Sequence, residues 1–222
     1  MKFKNRKNFP HLVDGGVVWE SRSVAVVGLY IIIDNDENEY VLATRRGKGM
    51  PDHQGKMNLI CGYLDWDENS YEAVLRETWE ESGFDVKKYL KTFKVLNNDL
   101  KEPWSVNSNP VKPTQNVTLR HGLVLKMSEN DELPELTTKY NETANESEDP
   151  MWIPIKDVYK YDWAFEHDKL IQDYLSLIIY RNLEGKKFSR SDFKKKIKQF
   201  ITDNNVNDIS DKDIDKWLKE NL

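Results

Sequence analysis

Glu77, Glu80 and Glu81 share one stripe of the helix that residues 69–82 would form. At about 100° per residue they fall within an arc of roughly 100°. Like charges that close repel one another, so the stripe calls for a cation above it. The competing reading is a solvated acidic face with ordinary intrahelical pairs. A hard divalent ion suits the donors: magnesium or manganese takes carboxylate, carbonyl and water oxygens and keeps positions open for phosphates. Metal-assisted attack on a phosphate is the chemistry this stripe would serve.

The stripe belongs to a longer pattern. Gly62 leads through five residues to Glu68, and seven more separate Glu68 from Arg76-Glu77; Glu80-Glu81 then precede Gly83 and the apolar Phe84. Every fixed position of the Nudix box is filled, and over residues 23–183 the chain resembles a Nudix hydrolase. The resemblance implies an α/β fold, a mixed β-sheet sandwiched between α-helices. It also implies a reaction: water attacks phosphorus in the pyrophosphate bridge of a nucleoside diphosphate linked to another moiety, with Mg2+ or Mn2+ as cofactor. Cations neutralise the phosphate charge and lower the pKa of a bound water.

Carried over residue by residue, the resemblance makes Glu77, Glu80 and Glu81 catalytic metal ligands, and in several family members the first of these also serves as base. Glu68 would support a metal or its water, and the backbone carbonyl near Cys61 and Gly62 would complete the coordination. Arg76 would hold the box glutamates by charge-assisted hydrogen bonds. A further catalytic glutamate is expected before the strand containing Trp152, with Glu146 the first candidate and Glu148 the second. A Cys61 nucleophile is disfavoured, because no helper histidine lies nearby in sequence.

Substrate-binding candidates lie just before the box. Residues 45–56 are locally basic, and Arg45, Arg46 and Lys56 could clamp phosphates. His53 is a weaker candidate, whereas His121 and His167 read as structural. Trp19, Trp66 and Trp104 could stack on a base or simply pack. A small-molecule nucleotide derivative is as far as the substrate can be narrowed. The alternative function is a catalytically inactive Nudix-fold regulator that senses a nucleotide or binds nucleic acid, fed by the basic run over residues 186–198. An RNA 5′-end pyrophosphohydrolase is a third reading.

The elements that must position these residues follow from pattern. Residues 23–33 read as a strand buried on both faces, 34–38 as a turn and 39–44 as the returning strand. A short strand over 57–61 leads into the box helix, capped by Asn69 with Glu72 and stopped by Gly83. Ala73, Val74 and Thr78 should face inward. Strands are expected around 89–96 and over 116–126 and 151–155, with a long loop over 97–115 and an exposed acidic loop over 129–149. A second main helix should run from about 164 to 183.

The expected organisation is an N-terminal leader over 1–22, the Nudix domain over 23–184 and a C-terminal helical extension over 185–222, with packing or homodimerisation as the extension's ordinary use. A net charge of -5 argues against a general nucleic-acid coat or a membrane-surface protein. One cysteine allows no intrachain disulfide, and no apolar run is long enough to span a bilayer. These features point to the cytoplasm.

Overall fold

The computed structural model describes residues 9–20, 22–108, 117–141, 146–184 and 198–199. Its centre is β3 (Val24–Ile33), a ten-residue run with nearly every side chain out of solvent. A strand this apolar needs cover on both faces, and it has it. β3 pairs antiparallel with β4 (Glu39–Arg46) and parallel with β9 (Val117–Lys126). On the other sides of these two lie β10 (Ser147–Pro154), beyond β4, and β7 (Lys94–Asn98), beyond β9. Three short strands complete an eight-stranded mixed sheet: β5 (Met57–Asn58) on β4, β6 (Ile60–Tyr63) on β3 and β8 (Ser105–Asn107) on β9.

Helices cover the two faces. α1 (Ser70–Ser82) buries Ala73 and Val74 against Val26, Tyr30, Ile60 and Leu123. On the opposite face α3 (His167–Glu184) lays Leu170, Ile171 and Tyr174 over Val27, Leu29, Ile31 and Val41. Alternation along β3 sends neighbouring side chains into different layers, which is why an unbroken apolar strand suits the centre.

α1 starts and stops where its sequence dictates. The Asn69 side chain accepts from the Tyr71 and Glu72 N–H groups, and Glu72 accepts from the Asn69 N–H at 2.9 Å, a complete capping box. Gly83 ends the helix with φ at 67°, a left-handed conformation in which a side chain is strained.

The structure corrects the reading of residues 89–96 as a strand. Val86–Thr92 forms a helix, α2, with the Asp85 side chain accepting from the Lys88 N–H. Val86, Tyr89, Leu90 and Phe93 recur at i, i+3, i+4 and i+7, a helical period, and all pack on the α1 side of the core. The strand, β7, starts only at Lys94. The supposed leader is also structured: β1 (Phe9–Val13) and β2 (Gly16–Glu20) form a hairpin whose turn residues Asp14 and Gly15 both have positive φ. The expected acidic loop ends early, because β10 begins at Ser147.

Residues 97–115 are not a continuous loop, since they include the end of β7 and all of β8. The expected helical pair over 185–222 lies outside the described residues, apart from Lys198 and Gln199, which are helical. Among the described residues no helix is long and apolar enough to cross a membrane.

Gly83→Ala should lower stability by roughly 1–2 kcal/mol, because the new methyl group meets a positive φ. Thermal unfolding followed by circular dichroism checks this; an unchanged midpoint would contradict the capping account.

Candidate active site

The acidic stripe lies between α1 and β6. A Cβ on Gly62 would stand 2.0 Å from Glu77 Oε1, so glycine is needed there for the helix carboxylate to reach the strand. Glu77 and Glu81 are buried, 8% and 4% exposed. Glu81 receives hydrogen bonds from the Ser147 side chain and the Cys61 backbone, yet its Oε2 atom is buried without a partner.

Arg76 gathers the other acids. Its Nε and Nη2 grip Glu68 at 3.1 and 2.8 Å, and its Nη1 bridges Glu77 at 2.9 Å and Glu80 at 3.0 Å. Nη2 also donates to the Tyr63 carbonyl, which ties the helix to the end of β6. Glu68 accepts from the Asp65 N–H as well, so both its oxygens are engaged, and the Arg76 guanidinium beside it holds its carboxyl below the usual range. Arg76 itself is pushed above its ordinary value by the same pairing.

One guanidinium does not balance the cluster. Burial pushes the Glu77 carboxyl up from its ordinary value to about 7 against the opposing pull of Arg76, with Glu80 and Glu146 adding to the rise. Burial also raises Glu81 well above its ordinary value, helped by the charges of Glu77 and Glu146. The charge of Glu146 is thus felt at both buried acids. Its carboxylate accepts no hydrogen bond among the described residues. Glu148 instead pairs in register with Arg45, away from the cluster.

The donor set fits a hard divalent cation. It consists of carboxylate oxygens, one of them buried and unpartnered, in a place where negative charge is in excess. Among the described residues no three acidic, histidine or cysteine side chains yet converge on a common point. The cause is visible: Glu77 and Glu80 are turned onto Arg76.

The three basic candidates are already paired. Arg45 contacts Asp149 at 3.3 Å, Arg46 contacts Asp52 at 2.6 Å and Lys56 contacts Asp162 at 3.1 Å. Arg46 is buried over the Phe165 ring, and its charge is felt at Cys61. His53 is exposed against Phe165. His121 and His167 are buried in backbone contacts, with Leu100 O and the Leu59 N–H.

Burial and the Glu81 charge push the Cys61 thiol up, the wrong direction for a nucleophile. Trp66 is 95% exposed, Trp104 packs on Tyr174, and the Trp19 side chain lies outside the described residues. Sequence reasoning missed Ser147, for which no signal existed.

A helix of clustered acids beside a mixed sheet suits phosphoanhydride hydrolysis assisted by a divalent cation. The NUDIX domain family matches residues 24–174, and the chain belongs to that family, whose members are pyrophosphohydrolases. Among solved structures, the chain is similar to the NUDIX domain of Shewanella oneidensis NrtR complexed with ADP ribose (19% identity, 72% of this chain and 90% of that one, TM-score 0.51). It is also similar to the bifunctional NMN adenylyltransferase/ADP ribose pyrophosphatase of Francisella tularensis complexed with AMP and a Mn ion (20% identity, 71% of this chain and 42% of that one, TM-score 0.53). A MutT/nudix family protein from Enterococcus faecalis shares 17% identity over 86% of this chain and 78% of that one, with a TM-score of 0.51. Comparison with curated proteins gives no match.

The buried acids make stability depend on pH and on metal. Glu77 and Glu81 bind protons more tightly folded than unfolded, so metal-free stability is present at acid pH and falls as pH rises from 4.5 through about 7. Differential scanning calorimetry should therefore show a metal-free midpoint at pH 8 lower by roughly 5 °C than at pH 5. Magnesium should restore it at pH 8. Glu81→Gln should raise the metal-free midpoint at pH 8 and abolish the magnesium response; a lower midpoint with the response intact would contradict the assignment.

Proposed function

We propose that this chain hydrolyses the pyrophosphate bridge of a nucleoside diphosphate derivative in the cytoplasm, with Mg2+ or Mn2+ as its cation. The observation that carries the reading is the burial of Glu77 and Glu81 between α1 and β6, with one Glu81 carboxylate oxygen left without a partner. Such an arrangement is costly in a protein that does not use it.

Glu77, Glu80 and Glu81 are the side chains that would hold the ion, with the Gly62 carbonyl as a backbone donor. A bound divalent cation supplies neutralisation of the diphosphate charge and a lower pKa for water. Arg76 keeps the helix acids in place and, through Tyr63 O, keeps them against β6. Glu68 steadies Arg76 from behind. Glu146 takes the proton of the attacking water: of the four acids it alone accepts no hydrogen bond among the described residues, which leaves it an available acceptor. Arg46, whose charge is felt at Cys61, is placed at the substrate's phosphates, while Arg45 and Lys56 hold the preceding loop through Gly55 O and Asp162.

The reaction is tested with a panel of nucleoside diphosphate sugars, dinucleoside polyphosphates and ADP-ribose, with and without Mg2+ or Mn2+. In 18O-labelled water the label should enter a phosphate product. Glu80→Gln and Glu81→Gln should each lower kcat/KM by about 100-fold or more. A full panel without metal-dependent turnover would overturn the proposal.

Glu146→Gln separates proton transfer from ion binding. It should lower kcat by about 100-fold while leaving the magnesium-induced rise in midpoint temperature in place. Loss of both together would instead make Glu146 a ligand.

A further inference from the structure

Glu146 lacks a side-chain anchor. Its carboxylate accepts no hydrogen bond among the described residues, while its charge is felt at Glu77 and Glu81. Like charges favour withdrawal of a carboxylate that nothing holds, so the place of this one is set through its backbone. On its C-terminal side the restraint is sheet pairing. Ser147, the first residue of β10, pairs with Arg46 of β4, and the buried Gly47 N–H donates to the Glu146 carbonyl at 2.8 Å.

The N-terminal side is held from outside the sheet. Tyr140 stacks on Trp79 of α1, with ring centroids 4.2 Å apart and planes 25° from parallel. Trp79 directly precedes Glu80 and Glu81, so the stack grips the helical turn that carries two of the acids. In the same turn Ser82 O accepts from the Thr137 N–H at 2.9 Å, and a Cβ on Gly83 would stand 2.5 Å from Thr137 Cγ2. Asn141 completes the bridge: its Nδ2 donates to the Ser147 carbonyl at 2.9 Å, six residues along the chain. Ser147 in turn hydrogen-bonds Glu81. Trp79 and Tyr140 are each 38% exposed and belong to neither core cluster, so their stack adds little to the interior.

We propose that Tyr140 and Asn141 are positioning residues for the reaction, a clasp that fixes the Glu146 backbone from its N-terminal side against the turn bearing Glu80 and Glu81. The proposal rests on the hydrolytic reading above, in which Glu146 takes the proton of the attacking water. Neither residue touches the reacting atoms. A proton acceptor works only within hydrogen-bond reach of its water, and a small misplacement is costly in rate.

The test uses Tyr140→Ala, Tyr140→Phe and Asn141→Ala in the full chain, each alone and combined with Glu146→Gln. With the best substrate of the panel and Mg2+, Tyr140→Ala and Asn141→Ala should each lower kcat by about 10-fold with KM little changed. Tyr140→Phe, which keeps the ring, should retain kcat. In the Glu146→Gln background neither alanine should lower kcat further, because both act through that carboxylate. Hydrogen exchange adds a readout independent of turnover. The Gly47 amide should exchange about 10-fold faster in both alanine variants, while amides inside α1 keep their rates.

Wild-type kcat in both alanine variants would overturn the positioning role and leave the hydrolytic reading intact. So would a loss that persists undiminished in the Glu146→Gln background, or an unchanged Gly47 exchange rate. A wild-type protein that turns over no compound removes the hydrolytic reading, and the exchange rates then decide whether the clasp holds this segment. The two contacts are removed separately, so if one alanine variant fails to fold the other decides.

Discussion

Two carboxylates, Glu77 and Glu81, are driven out of water between a helix and a strand, and much of the local structure answers the cost. A glutamate at this depth favours its proton, and two side by side favour it more. The position is reachable only because residue 62 has no side chain. It is tolerated because Arg76, itself partly buried, binds Glu68, Glu77 and Glu80 at once. The balance remains unequal, and the unpartnered Glu81 oxygen is where the deficit is most visible.

The scaffold keeps that crowded arrangement from relaxing. α1 is fixed at its start by the Asn69–Glu72 box and at its end by Gly83, so the phase of its acidic stripe is set. The segment before Glu146 is fastened to the same helix: the Thr137 N–H donates to Ser82 O at 2.9 Å, and Tyr140 stacks on Trp79 at 4.2 Å. Asn141 then donates to the Ser147 carbonyl at 2.9 Å, and Ser147 reaches Glu81. The Glu146 charge felt at Glu77 and Glu81 therefore comes from a different part of the chain, the residue just before β10, whose own partner is β4.

The helical half of this site was legible in the sequence because its signals are local. The Asn69 cap, the Gly83 stop and the 77/80/81 spacing all lie within one element, and the central strand was plain from its apolar run. Less local features were harder to read. Tyr89 and Phe93 favour strands by type, but they sit at helical spacing behind an Asp85 cap, and period outweighed propensity. The internal pairing of Arg45, Arg46 and Lys56 with Asp149, Asp52 and Asp162 depends on long-range geometry for two of the three. Ser147 meets the site only through the placing of β10, which no single stretch encodes.

The site depends on two buried carboxyls that are held near neutrality without metal and charged with it. Carbon-13 NMR titration of the glutamate side-chain carboxyls, with and without Mg2+, observes this directly. Without metal, Glu77 should titrate near pH 7, and Mg2+ should move that transition down into or below the usual carboxylate range. A Glu77 resonance that titrates as an ordinary glutamate in the metal-free protein, or one that Mg2+ leaves unmoved, would contradict the account.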